Sequence, residues 1–148
     1  MKEKNKQMRD VLITINSFQS LNGDDGSLEF ITRGKYAVDE EGIHLSYQES
    51  ELTGLEGTET DFLVKPGQVV MSRTGNVTAQ MIFQKGKKQH FAYETPYGTL
   101  TMGLDTFRLE HALGEGGGDM LIEYDLDLDR AVVSRNRFRI NVKDIKGN

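Results

Sequence analysis

Between Ile122 and Asp129 the chain alternates without a break: Ile122, Tyr124, Leu126 and Leu128 are apolar, and Glu123, Asp125, Asp127 and Asp129 are acidic. A period of two is the signature of a strand that buries one face and wets the other, because successive side chains of an extended chain point to opposite sides. The returning segment complements it, with Phe138, Ile140 and Val142 apolar and Arg135, Arg137 and Arg139 between. A three-residue loop, Asp129 to Ala131, sets Leu128 opposite Val132. It also places Asp125 across from Arg135, Glu123 across from Arg137 and Ile122 across from Phe138. Such exposed cross-strand ion pairs are worth about a few tenths of a kcal/mol each, so their main effect is to select register.

The same period recurs along the chain and a helical one does not. Val11, Ile13 and Ile15 form one stripe, and Asn22 to Gly26 marks a turn. Leu28, Phe30, Tyr36 and Val38 form the next, with Gly34 inside it predicting a kink or bulge. Asp39-Glu40-Glu41-Gly42 reads as a hairpin loop and Pro66-Gly67 as a type II turn. Gly75-Asn76 reads as a two-residue hairpin turn that opposes Ser72 to Ala79 and Val70 to Met81. From Leu100, Met102 and Leu104 the apolar parity changes to Phe107, Leu109 and Leu113, which predicts a bulge near Asp105-Thr106. The reading is all-β: an antiparallel up-and-down meander of about eight to ten strands, closed into a barrel because closure removes the exposed edges. It spans residues 1–148 as one domain, with 1–10 a loosely ordered amino-terminal segment; an open sandwich is the alternative fold.

Composition narrows the function classes. The 148 residues contain no Cys, which excludes disulfide scaffolds, thiol chemistry and cysteine metal sites. Net charge is -5 and the pI about 5.2, without the clustered cations that nucleic acid requires. The one basic cluster, Lys85 to Lys88, reads as a solvated hairpin tip. No apolar run approaches membrane-spanning length, and no apolar core of a signal peptide follows the amino-terminal lysines, so the cytoplasm is the expected compartment. The apolar share is lean at 36%.

Motifs with a chemical look are better explained by structure. Asp125-x-Asp127-x-Asp129 opens like a calcium loop, but Arg130 stands where glycine is required and Asn136 where glutamate is. Gly114-Glu115-Gly116-Gly117-Gly118 precedes a strand rather than a helix, so it cannot cradle a phosphate at a helix amino terminus. His44 and His90 fall on outward positions. His111 shares parity with Phe107, Leu109 and Leu113 and so points inward, as a core or rim histidine in preference to an axial haem ligand. Glu49 continues the inward stripe Ile43-Leu45-Tyr47. Arg73 would have to pair with it if both reach the interior, although the Gly75-Asn76 register directs Arg73 outward. No nucleophile–base or paired-carboxylate arrangement stands out, and neither a metal nor a cofactor is expected.

Three segments carry a resemblance: Val70-Met71-Ser72-Arg73-Thr74-Gly75, Met81-Ile82-Phe83-Gln84-Lys85-Gly86 and Tyr93-Glu94-Thr95-Pro96-Tyr97-Gly98. With Leu45 to Glu49, Ile122 to Leu126 and Val133 to Asn136, they resemble the YwiB-like family of uncharacterised bacterial proteins, mostly from Firmicutes, over roughly Val11 to Val142. The resemblance implies a cytoplasmic, calycin-like barrel related in shape to lipocalins, and it offers no catalytic residue to carry over. The expected function is binding of a small amphipathic or apolar ligand, with Tyr47, Arg73, Phe83, Tyr93, Tyr97 and His111 as lining and mouth candidates. Tyr97 would act as a stacking lid. The alternative is a protein-interaction or self-association module, a homodimer in the simplest case, whose barrel is filled by side chains and whose acidic strip Glu123 to Asp129 docks a partner. A weaker third option is an enzyme using Glu49 or Glu94.

Overall fold

The computed structural model describes residues 8–21 and 23–145. Ten strands follow in chain order: β1 (Arg9–Leu21), β2 (Asp24–Val38), β3 (Ile43–Gln48), β4 (Thr58–Lys65), β5 (Gln68–Gly75), β6 (Ala79–Phe83), β7 (Lys88–Thr95), β8 (Gly98–Gly114), β9 (Gly117–Leu128) and β10 (Ala131–Asp144). They form one sheet in the order β6-β5-β4-β3-β2-β1-β10-β9-β8-β7, every pairing antiparallel. Each strand therefore pairs with its sequence neighbours, except β6 and β7 at the two edges, and β1 and β10 join the two ends of the chain. The sheet curls until its two edges meet through two isolated bridges flanking β6, Thr78 with Glu94 of β7 and Lys85 with Thr106 of β8. The result is a nearly closed barrel. No helix among the described residues is long and apolar enough to cross a membrane, which does not bear on strands.

The interior follows from the period-two stripes. Val11, Ile13, Ile15, Leu45, Phe62, Val64, Met71, Met81, Phe83, Ile122 and Ile140 are buried together. One end is sealed by Tyr36, whose hydroxyl donates to the Gly114 carbonyl at 2.7 Å, while the Arg9 guanidinium lies 5.2 Å from its ring centroid. Arg9 and Asp10 thus belong to β1, and the loosely ordered segment expected at 1–10 does not extend that far; residues 1–7 lie outside the described ones.

Several expectations need correction. Gly34 marks no bulge, since β1–β2 pairing runs unbroken through it; a Cβ there would sit 2.4 Å from Ile13 Cδ1 and 2.5 Å from the Ser46 carbonyl oxygen. Glycine serves here to let neighbouring strands approach. The β9–β10 turn is shorter than expected: Ala131 pairs with Leu128, and Asp129 and Arg130 both have positive φ. A register shift between Val132 and Ser134 then restores the expected pairs Arg135–Asp125, Arg137–Glu123 and Phe138–Ile122. The bulge in β8 falls between Thr106 and Arg108, next to the expected place.

After Gly75-Asn76 the register differs by one residue from the expected one. Arg73 pairs with Ala79, Ser72 with Gln80, Met71 with Met81 and Val70 with Ile82. Asn76 is engaged elsewhere: its side-chain amide donates to the Glu56 carbonyl at 3.0 Å and its backbone N–H to the Gly57 carbonyl at 3.2 Å. The Val77 N–H donates to the buried Thr58 hydroxyl at 3.3 Å. This docking lengthens the connection, and a one-residue slip turns every side chain of a strand to the other face.

Among the described residues, the Thr106 hydroxyl is the buried side-chain polar atom without a hydrogen-bond partner. An unsatisfied buried hydroxyl costs about 1–3 kcal/mol. Thr106→Val keeps the branched shape and removes that cost, so the urea midpoint is expected to rise, by about 1 kcal/mol in stability. A fall of that size would contradict the assignment.

Candidate functional site

The barrel is not filled throughout. At the end that carries the β1–β2 turn and residues 49–57, a cavity of about 420 Å³ opens. That volume lies within the range of small-molecule sites. Its apolar wall is Leu28, Phe30, Leu55, Met71, Phe83 and Phe138, and its polar corner is Tyr47, Glu49, Thr53, Arg73 and Tyr124. Aromatic packing fixes the wall, with Phe83 edge-on to Tyr124 at 5.0 Å and Phe62 stacked between Tyr47 at 6.5 Å and Phe138 at 5.7 Å.

The polar corner is built by strand parity. Thr58, Thr60, Phe62 and Val64 are the inward residues of β4, and Thr60 pairs with both Tyr47 and Arg73. Glu49 follows directly after β3, its N–H donating to the Thr58 carbonyl at 2.9 Å. The Thr60 hydroxyl donates to Glu49 Oε2 at 2.5 Å, and the Thr53 hydroxyl donates to Oε1 at 2.8 Å. Arg73 Nε donates to the Thr60 hydroxyl at 3.2 Å, and Arg73 Nη2 lies 3.7 Å from Glu49 Oε2. Glu49 is buried while Arg73 keeps 19% of its side chain exposed toward the cavity. Burial pushes the Tyr47 hydroxyl above the usual tyrosine range, reinforced by the nearby Glu49 carboxylate. Burial also raises Tyr124, against the opposing field of Arg73. Both phenols are therefore neutral hydrogen-bonding groups at neutral pH.

Of the residues singled out from sequence, Tyr47, Arg73 and Phe83 line the cavity. Arg73 points inward, not outward, on the face of β5 that carries Val69 and Met71 and opposite the inward Thr60, and the observed register sets it against Ala79 where the expected one set Ser72. Tyr93 packs against the core without lining the cavity. Tyr97 is 98% exposed on the β7–β8 turn, where it covers nothing, so the expected lid is absent. His111 is exposed rather than inward: β7 accompanies β8 only as far as Asp105, the β6–β7 connection reaches Thr106, and beyond that point β8 pairs with β9 alone. Glu94 is exposed as well.

The acidic strip is not a free face. Asp125 is buried beneath a bidentate contact from Arg135 at 2.8 and 2.9 Å, and Asp127 is buried against Lys88. Lys88, at the start of β7, thereby ties that strand to β9 across β8, and the Gly86 N–H, in the β6–β7 connection, donates to the Thr106 carbonyl of β8 at 3.1 Å. One group of potential metal ligands occurs among the described residues, Asp39, Glu41 and His44. Asp39 Oδ1 already accepts from the Glu41 N–H at 2.9 Å and contacts His44 Nε2 at 2.9 Å, so the group is a turn cap. The residues not anticipated from sequence are Thr53, Thr60, Leu28, Phe138 and Tyr124. The alternation Thr58, Thr60, Phe62, Val64 was a usable signal for Thr60.

Arg73→Met leaves the buried Glu49 carboxylate without its countercharge. The expected loss is about 2–3 kcal/mol in chemical denaturation, below the full cost of breaking a buried pair because Arg73 is partly exposed. Combining it with Glu49→Gln is expected to recover most of that loss. Additive losses in the double variant would show that the two side chains do not interact.

Comparison with known proteins agrees with this architecture. The protein "Uncharacterized beta-barrel protein YwiB" of Bacillus subtilis (strain 168) is 28% identical over 121 residues, 82% of this chain and 84% of that protein. The crystal structure of the ywiB protein from Bacillus subtilis superimposes with a TM-score of 0.84 over 94% of each chain, at 24% identity, and so shares the fold. Residues 13–140 match the family described as "Domain of unknown function (DUF1934)", and this β-barrel chain belongs to that family.

Proposed function

We propose that the protein is a calycin-like binding barrel that takes up a small amphipathic molecule through its open end. The observation that carries this reading is the composition of the cavity: one wall of aromatic and aliphatic side chains, and a confined corner with a carboxylate, a guanidinium and two phenols. Binding sites have this division, with apolar area for affinity and a few placed polar groups for orientation. An eight-to-ten-stranded barrel can hold one small ligand when its side chains do not fill it. Binding rather than catalysis is favoured by the state of Glu49, whose two oxygens already accept from Thr53 and Thr60. A carboxylate so held is poorly placed to take a proton from a substrate.

The uncharged fluorophore N-phenyl-1-naphthylamine reports on such a cavity. Its fluorescence is expected to rise on adding the protein and to saturate at one probe per chain. Leu28→Trp, which fills the half-buried apolar wall, is expected to abolish the rise while leaving the fold's circular dichroism unchanged. No saturable binding to the wild type, or equal binding to the Leu28→Trp variant, would overturn this reading.

A further inference from the structure

We infer that the molecule taken up is an amphipathic monoanion, its charged head on Arg73 and Tyr124 and its apolar part along Leu28, Phe30, Phe83 and Phe138. This deepens the reading of the cavity as a binding site and rests on it.

The inference comes from which donors are spent and which are not. Glu49 is satisfied without Arg73, since one hydroxyl donates to each of its oxygens. Its approach to the guanidinium, 3.7 Å, is an ion pair too long for a hydrogen bond. Arg73 makes one hydrogen bond, from Nε to Thr60, and among the described residues neither of its Nη atoms has a hydrogen-bond partner. A guanidinium carries five donors in a planar fork, and the unspent ones suit a bidentate carboxylate or sulfonate. The Tyr124 hydroxyl lines the same space without a hydrogen-bond partner among the described residues, within the field of Arg73.

Charge balance points the same way. The charged side chains around the cavity are Glu49, Arg73 and Arg137, so the lining carries a net charge of +1. Arg137, at the rim, lies over the Phe18 ring at 5.6 Å and has no carboxylate at ion-pair distance among the described residues. One negative charge on the ligand neutralises the site. A neutral ligand would strip water from the Arg73 fork without replacing its hydrogen bonds, and a cation would face two guanidiniums.

Two probes that share an anilinonaphthalene body test this: 8-anilinonaphthalene-1-sulfonate, a monoanion, and the uncharged N-phenyl-1-naphthylamine. Glu49→Gln removes the competing negative charge and keeps the hydrogen-bonding shape. It is expected to tighten the sulfonate about tenfold while changing the neutral probe by less than about twofold. Arg73→Met in the Glu49→Gln background avoids an unpaired buried carboxylate and is expected to weaken the sulfonate at least about tenfold relative to wild type, again sparing the neutral probe. If both probes shift in parallel, or the sulfonate responds to neither variant, the monoanion inference is overturned while the cavity reading stands. If neither probe binds the wild-type protein, both fall.

Discussion

Arg73 reaches the barrel interior because it shares the inward face of β5 with Val69 and Met71 and lies opposite Thr60 of β4, and the connection after β5 is docked onto its neighbour instead of turning tightly. Asn76 and Val77 give their hydrogen-bond donors to Glu56, Gly57 and Thr58, and a Cβ on Gly75 would lie 2.2 Å from the Gly57 carbonyl oxygen. That contact moves the β5–β6 register by one residue and brings Met71 opposite Met81 inside the barrel. It also sets the small Ala79 opposite Arg73, whose inward charge needs a partner. Glu49 and Thr60 supply it, and their own placement follows from the unbroken inward parity of β3 and β4. The pairing of β5 with β4 thus sets the chemistry of the cavity, and the docked connection sets which residues of β6 face it.

The interior divides along its length. Toward the sealed end, Tyr36, Val11, Ile13, Met120 and Ile140 pack without exposed surface worth the name, and the Tyr36–Gly114 hydrogen bond ties strands distant in sequence. Toward the open end, the inward positions change from aliphatic to aromatic and hydroxylated side chains, and packing gives way to a cavity. The packed end supplies the hydrophobic stabilisation, while the open end retains polar groups whose burial would be costly in a filled core.

Much of this was legible in the sequence. Strict alternation marks the strands, and the opposed charges of β9 and β10 mark their register, in which Arg135 meets Asp125. The turn between those strands was less legible: a shorter loop and a bulge cancel, and neither leaves a mark on the pairing that follows. His111 shows the limit of parity arguments, since a residue on the inward face is buried only where a further strand covers it. Tyr97 shows that an aromatic residue in a turn motif need not cover anything. Gly75-Asn76 carries the signal of a tight hairpin, and only the tertiary contact with Gly57 overrides it. Parity puts Tyr124 on the apolar face of β9, but its proximity to Arg73 depends on barrel closure, which no local pattern encodes.

Native mass spectrometry of the protein isolated from the organism that makes it bears most directly on the central claim, that the open end of the barrel holds a small amphipathic anion. The expected result is a population heavier than the bare chain by one small molecule, released on collisional activation and detected as a negative ion after organic extraction. The bare chain alone, with nothing in the extract even from gently handled, undiluted protein, would contradict it.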